Sequence, residues 1–162
     1  MSHYLPYVPV MRSAFHASQA SNDPDSKVGA VCVTDGLTIV AKACNVVLLD
    51  DFATPAEKLL SSAHAEKMAI AAARSSGWTN LSTLTLVVTR MPCSQCMTDI
   101  WLSGCKRVVY LDRDRARDTK WADSFAASLR IAAKFHIDLI KVPLEAFHAE
   151  DSDVQDGSPR AG

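Results

Sequence analysis

From Leu84 to Val142 the chain alternates short β-branched runs with longer helical stretches, and this alternation is its strongest constraint on the fold. Leu84 to Thr89, Arg107 to Leu111 and Asp138 to Val142 read as strands, with helices over Ser94 to Ser103 and Trp121 to Phe135 between them. Such an order implies a sheet covered by helices on both faces. Upstream, Val28 to Thr34 and Thr38 to Cys44 are apolar runs joined through Asp35-Gly36, a hairpin-turn pair. Before them, Val8, Met11 and Phe15 recur at helical spacing and predict a helix over Val8 to Ala20. Leu48 to Ser62 reads as a loop with a short helical piece that shapes the site following it, and Ala63 to Ser75 as an alanine-rich helix ended by Ser76-Gly77.

The 162 residues, 48% of them hydrophobic, suit one compact domain, expected over residues 1–149. The polar stretch 150–162 is expected to be a disordered tail. A net charge of -1 gives no overall footprint for a polyanion, so nucleic acid is not the favoured partner. The basic run Arg107, Arg113, Arg115, Arg117 and Lys120 is interleaved with Asp112, Asp114 and Asp118 and reads as a self-neutralised loop. No apolar run approaches a membrane span, and Met1-Ser2-His3-Tyr4 lacks the features of a secretory signal. The chain is therefore expected to be cytoplasmic, where five cysteines with one C-x-x-C point to metal ligation or redox chemistry before disulfides.

His64-Ala65-Glu66 opens one helix, and Pro92-Cys93-Ser94-Gln95-Cys96 stands where a strand hands over to another. A catalytic zinc takes three nitrogen and sulfur ligands and leaves a fourth position for water, and His64, Cys93 and Cys96 supply that number. Helix N-termini favour the thiolate forms that a metal needs. Glu66 lies close enough to share the site without coordinating and can shuttle protons. The joint pattern H-x-E…P-C-x-x-C is the signature of zinc-dependent deaminases of nucleobases. A redox C-x-x-C would leave His64 and Glu66 idle, and a structural zinc would need a fourth ligand from Cys32, Cys44 or Cys105, each in an apolar stretch that suits a buried cysteine. A scaffold that kept the fold without its activity would have no need of Glu66.

With these residues in view, the chain resembles the cytidine deaminase superfamily, and within it most closely the deoxycytidylate (dCMP) deaminase branch. The likeness rests on Ser21-Asn22-Asp23-Pro24 through Val28-Gly29-Ala30, on Leu86-Val87-Val88-Thr89 into Pro92-Cys93, and on Ser103-Gly104-Cys105-Lys106-Arg107-Val108-Val109-Tyr110. It implies a three-layer α/β/α sandwich with a mixed five-stranded sheet, a Zn2+ cofactor, and hydrolytic deamination of dCMP or a 5-modified dCMP. The alternative is another amino-base substrate on the same fold: a free base, a nucleoside, a nucleoside antibiotic or a tRNA adenosine. By the same resemblance Val28, Gly29 and Ala30 lie beside the base, the Ala65 amide contacts it, and Asn45 bonds the sugar. Family members also associate through helices beside the site, so a homo-oligomer is expected, with the Trp121 to Phe135 helix suited to the contact.

Two departures bear on substrate and control. The family's Gly-Tyr-Asn-Gly is Ala43-Cys44-Asn45-Val46 here, and its H-A-E-L-N-A-I is His64-Ala65-Glu66-Lys67-Met68-Ala69-Ile70. The second Asn, which helps hold the nucleotide end of the substrate, is thus replaced by Met68, and Lys27 or Lys67 is the expected compensating charge. Many deoxycytidylate deaminases respond to dCTP and dTTP near that first turn, but Val46 adds a branched side chain where glycine would let backbone approach a phosphate. Steady-state rates should therefore depend hyperbolically on substrate, with dCTP and dTTP acting only as competitors. A sigmoidal curve that dCTP straightens would contradict this expectation.

Overall fold

The computed structural model describes residues 3–113 and 119–154, and all statements about the architecture refer to them. A 3-10 turn at Leu5–Tyr7 leads into helix α1, Val8–Ser18, with Pro9 in its first turn, where a missing N–H costs nothing. Strands β1, Gly29–Val33, and β2, Ile39–Cys44, form the expected antiparallel hairpin. Its turn closes through the Leu37 amide on the Thr34 carbonyl, 2.9 Å. Leu37, not Gly36, takes the left-handed conformation, φ 62°, and its side chain packs into the apolar layer beneath. Packing has overridden turn propensity at that position.

The segment read as a loop with a helical piece contains a two-strand ribbon, β3 at Val46–Val47 with β4 at Ser62–Ala63, and helix α2, Pro55–Leu60. Thr54 caps α2 by accepting the Glu57 amide, and Glu57 reaches back to the Ala53 amide, so the short helix is satisfied at its start. Helix α3, Ala65–Ser75, strand β5, Thr85–Val88, helix α4, Ser94–Ser103, strand β6, Arg107–Asp112, helix α5, Ala122–Lys134, and strand β7, Asp138–Pro143, follow as the sequence predicts. The sheet order is β2-β1-β5-β6-β7, antiparallel on the hairpin side and parallel from β5 to β7.

Period-two alternation divides the strands between two cores. Ala30, Cys32, Leu86, Val88 and Val108 face α3, α4 and α5, while Val31, Val33, Val87, Val109 and Leu111 face α1. One more helix, α6 at Leu144–Val154, covers the α1 side, where Phe147 is buried and its carbonyl accepts from Arg12 at 2.8 Å. The sequence analysis had no helix there and began a disordered tail at residue 150; α6 corrects both, and residues 155–162 of that tail lie outside the described ones. Among the described residues no helix is long and apolar enough to cross a membrane.

Gly29 fixes how closely α1 approaches the sheet. A Cβ there would stand 1.8 Å from the Ala14 carbonyl oxygen and 2.7 Å from the Ser18 nitrogen, both backbone atoms that cannot swing aside. Gly29→Ala should therefore lower stability by about 3 kcal/mol or more, as overpacking against fixed backbone does. Gly36→Ala, whose nearest neighbour would be a Thr34 hydroxyl at 3.8 Å, should shift it by roughly 0.5 kcal/mol or less. Urea denaturation of both variants checks the contrast, and equal losses would refute it.

Candidate active site

Two helix starts meet where the parallel strands end. His64 is the N-cap residue of α3, in extended conformation, carried there by β4. Cys93 is the N-cap residue of α4, and Cys96 lies in that helix's first turn. The turn that presents the cysteines is pinned by α5: the Ser128 hydroxyl donates to the Pro92 carbonyl, 2.9 Å, and the Ser124 hydroxyl accepts from the Ser94 amide, 2.9 Å. As a result His64 Nδ1 stands 3.3 Å from Cys96 Sγ and 3.5 Å from Cys93 Sγ.

These three donor atoms lie within 4.8 Å of one another and form a group that could hold a metal ion. A tetrahedral zinc with bonds of about 2.3 Å to sulfur and about 2.0 Å to nitrogen separates its ligands by roughly 3.5–3.8 Å. The observed spacing fits that ion. Cys96 donates its thiol to Cys93, and this bond, helped by His64, holds the Cys93 thiolate at about 4 although burial opposes it. The same bond and burial push the Cys96 thiol up. Among the described residues no disulfide occurs, and Cys32 and Cys105 are core thiols turned toward the carbonyls of Ala69 and Arg107.

Glu66, in the first turn of α3, is 4% exposed. Burial lifts its carboxyl above the ordinary glutamate range, against the pull of its own backbone amide and of His64. A carboxyl so placed exchanges a proton more readily near neutrality than an exposed one. It borders a cleft of about 270 Å3 together with His64, Ala65, Cys93, Val28 and Asn45. The sequence analysis therefore named residues that do converge, with four exceptions. Gly29 packs on α1, Ala30 lies in the core with Ala65 and Ala69, and neither borders the cleft. Lys27 Nζ donates to the Ser21 carbonyl, 2.7 Å, and Lys67 pairs with Asp99, so neither expected compensating charge reaches the cleft. Met68 does not border it either.

Asn45 borders the cleft, and its side chain is also engaged within the protein. Its Oδ1 accepts from the Val28 amide, 2.8 Å, and its Nδ2 donates to the Ser26 carbonyl, 2.8 Å, so the side chain braces the rim between Asp23 and Val28. Sequence reasoning missed the rest of the cleft wall: Lys58 on α2, Arg90 and Met91 after β5, and Lys120, Trp121 and Phe125 before and within α5. The Trp121 ring stands edge-on to His64, centroids 6.3 Å apart. The available signal was positional, since residues just beyond the carboxyl ends of parallel strands border ligand sites.

The profile of the cytidine and deoxycytidylate deaminase zinc-binding region matches residues 7–112. The chain belongs to this deaminase family. Among curated proteins none matches it. The dCMP deaminase of cyanophage S-TIM5, in complex with dCMP and dUMP, superposes with TM-score 0.64 at 24% identity over 88% of this chain and 99% of that one. Its apo form gives 0.60 at 25% identity over 85% and 98%. RibD of Acinetobacter baumannii gives 0.60 at 20% identity over 90% of this chain and 38% of that one, a likeness of fold alone. The deaminase fold and a zinc cofactor are thereby assigned, and the donor set described above is of the chemistry zinc prefers.

The opposite rim of the deaminase cleft is held by charge. Lys58 Nζ lies 2.6 Å from Asp23 Oδ1 and 2.5 Å from Asp25 Oδ2, tying α2 to the segment after α1. Burial alone would raise Asp23, but Lys58 and the amides of Asp25 and Ser26 hold it below its ordinary 3.8. A depressed carboxylate stabilises the fold above its unfolded value and loses that contribution as pH falls through its folded one. Lys58→Met should therefore melt below the wild type near neutrality, and the gap should narrow as pH falls below 3.8 and through the lowered value of Asp23. Melting curves across that range test it; a gap independent of pH would show that the ion pair contributes nothing.

Proposed function

We propose that this deaminase converts dCMP, or a dCMP substituted at base carbon 5, to the corresponding uracil nucleotide with release of ammonia. The carrying observation is the buried Glu66 carboxyl beside a three-donor metal cluster at the edge of a cleft of about 270 Å3. The dCMP deaminases of cyanophage S-TIM5 support the substrate class. Zinc held by His64, Cys93 and Cys96 would supply the acidity that makes water a nucleophile at neutral pH. In the reading proposed, the water oxygen bonds to base carbon 4 while Glu66 takes its proton and passes it to the adjacent ring nitrogen. Glu66 then carries the second proton to the amino group; the carbon–nitrogen bond breaks, ammonia leaves, and a carbonyl remains. Ala65 contributes an amide from the group that a helix start leaves unpaired, available to the base. Trp121 and Phe125 narrow the cleft with apolar surface and exclude water.

Replacing the shuttle and replacing a ligand should give different failures. Glu66→Gln should retain zinc while turnover of dCMP falls by about 10²-fold to 10⁴-fold or more. Cys96→Ser should lose the metal and the turnover together, since three ligands leave none to spare. Metal analysis alongside loss of the 4-amino chromophore reads both. Glu66→Gln protein that sheds its zinc and keeps half its rate would make Glu66 a ligand or a bystander. A panel of cytosine, deoxycytidine, dCMP and 5-methyl-dCMP fixes the substrate, and preference for the free base would displace the nucleotide reading.

A further inference from the structure

Of the three metal ligands, Cys93 is the one whose backbone its own helix governs least. Cys96 lies inside α4, and His64 is held between the β3–β4 ribbon and α3. Cys93 precedes its helix in extended conformation, φ -70° and ψ 170°, directly after Pro92, which has no N–H with which to anchor the turn. Its sulfur is a metal donor, and at 3.5 Å from the Cys96 amide it gives α4 only a long capping bond.

Helix α5 supplies what that cap does not. Ser124 and Ser128 stand one turn apart on it, and they bond the two peptide groups on either side of the Cys93 Cα. The Ser128 hydroxyl, wholly buried, donates to the carbonyl of the Pro92–Cys93 peptide, 2.9 Å. The Ser124 hydroxyl accepts from the amide of the Cys93–Ser94 peptide, 2.9 Å, and donates to Ser94 Oγ, 3.1 Å. This second peptide is also held within α4, where the Cys93 carbonyl accepts from the Met97 amide, 2.9 Å. Peptide groups are rigid planes, so fixing both of them fixes φ and ψ of the residue between and the direction of its Cα–Cβ bond.

We propose that Ser128, assisted by Ser124, is a positioning residue for the metal: from α5 the pair sets the Cys93 backbone and so determines how tightly zinc is retained. Neither serine borders the cleft or belongs to the donor cluster, so both act through Cys93. The inference rests on the zinc site alone, whatever base the enzyme takes. A donor already held where the ion needs it loses little freedom when the ion binds, so removing its support lowers affinity.

The zinc affinity of the folded full chain, read by competition with a chromophoric chelator, tests the proposal without reference to turnover. Ser128→Ala should raise the zinc dissociation constant by about 10-fold to 100-fold, and Ser124→Ala by a smaller factor, because the Met97 amide still holds the second plane. Ser124→Thr, which keeps a hydroxyl, should bind zinc as the wild type does. Val10→Ala, in the α1 layer on the other face of the sheet, should lower the melting temperature and leave the zinc constant unchanged. With cobalt(II) as the probe ion, the visible ligand-field bands of Ser128→Ala should move from those of the wild type, since the Cys93 sulfur no longer meets the metal at a fixed angle. Folded Ser128→Ala protein with wild-type zinc affinity and cobalt bands would overturn the proposal, as would a loss of affinity in Val10→Ala equal to its own. If Ser128→Ala does not fold, Ser124→Ala decides: an unchanged zinc constant overturns the proposal, and a raised one that Ser124→Thr restores upholds it. Zinc affinity lost with the serine hydroxyls, in a protein that turns over no dCMP, would uphold the proposal and remove the nucleotide reading.

Discussion

The site depends on a capping position used for a second purpose. An N-cap residue usually spends its side chain on the helix's own unpaired amides. His64 makes no such bond from its side chain, and Cys93 offers only a sulfur at 3.5 Å to the Cys96 amide. Both side chains are therefore placed by backbone that is already fixed on each side: β4 and α3 for the histidine, the end of β5 and α4 for the cysteines. Their separation is then set by how α3 and α4 pack on one face of the sheet, through Ala65, Ala69, Met97 and Ile100 in a shared core. Small residues on α3 let that helix lie close, and the donor atoms meet without any flexible loop between them.

The parts of this arrangement that repeat along the chain were legible in the sequence. Strand and helix periods located the five strands and the ligand-bearing helices to within a few residues, because buried apolar positions recur at the spacing of the element that buries them. His64, Glu66, Cys93 and Cys96 were legible because their chemistry is unusual at that spacing. What escaped was tertiary. Nothing local announces that Ser124 and Ser128 secure the cysteine turn or that Lys58 crosses to Asp23. Each joins segments far apart in sequence.

Gly29 and Asn45 show the converse. Both stand at positions that invite a ligand-contact role by resemblance, and both are also engaged in construction. Gly29 lacks a Cβ so that α1 can approach, and the Asn45 amide bonds the backbone of Ser26 and Val28. α6 escaped for another reason. Its segment is short of apolar residues, and Phe147 alone, against Phe15 and under Arg12, accounts for much of its anchorage to α1. A helix held by so few contacts leaves only a weak periodic trace.

The two-sided core also divides the consequences of sequence change. The residues bordering the cleft come from the segment between α1 and β1, from the strand ends on that side of the sheet, from the α2 segment and from the α3, α4 and α5 side; none is among the buried residues of the core that α1 and α6 cover. Damage in that outer layer, at Val10, Met11 or Val109, acts on how much folded enzyme a cell holds and leaves each surviving molecule with its full specific activity. Damage at Ala69 or Met97 reaches both the yield of protein and the quality of each molecule, because those side chains also set the distance between the metal ligands. Variation accumulated in this family member should thus be tolerated unequally on its two faces, with abundance as the trait exposed on one and catalytic quality on the other.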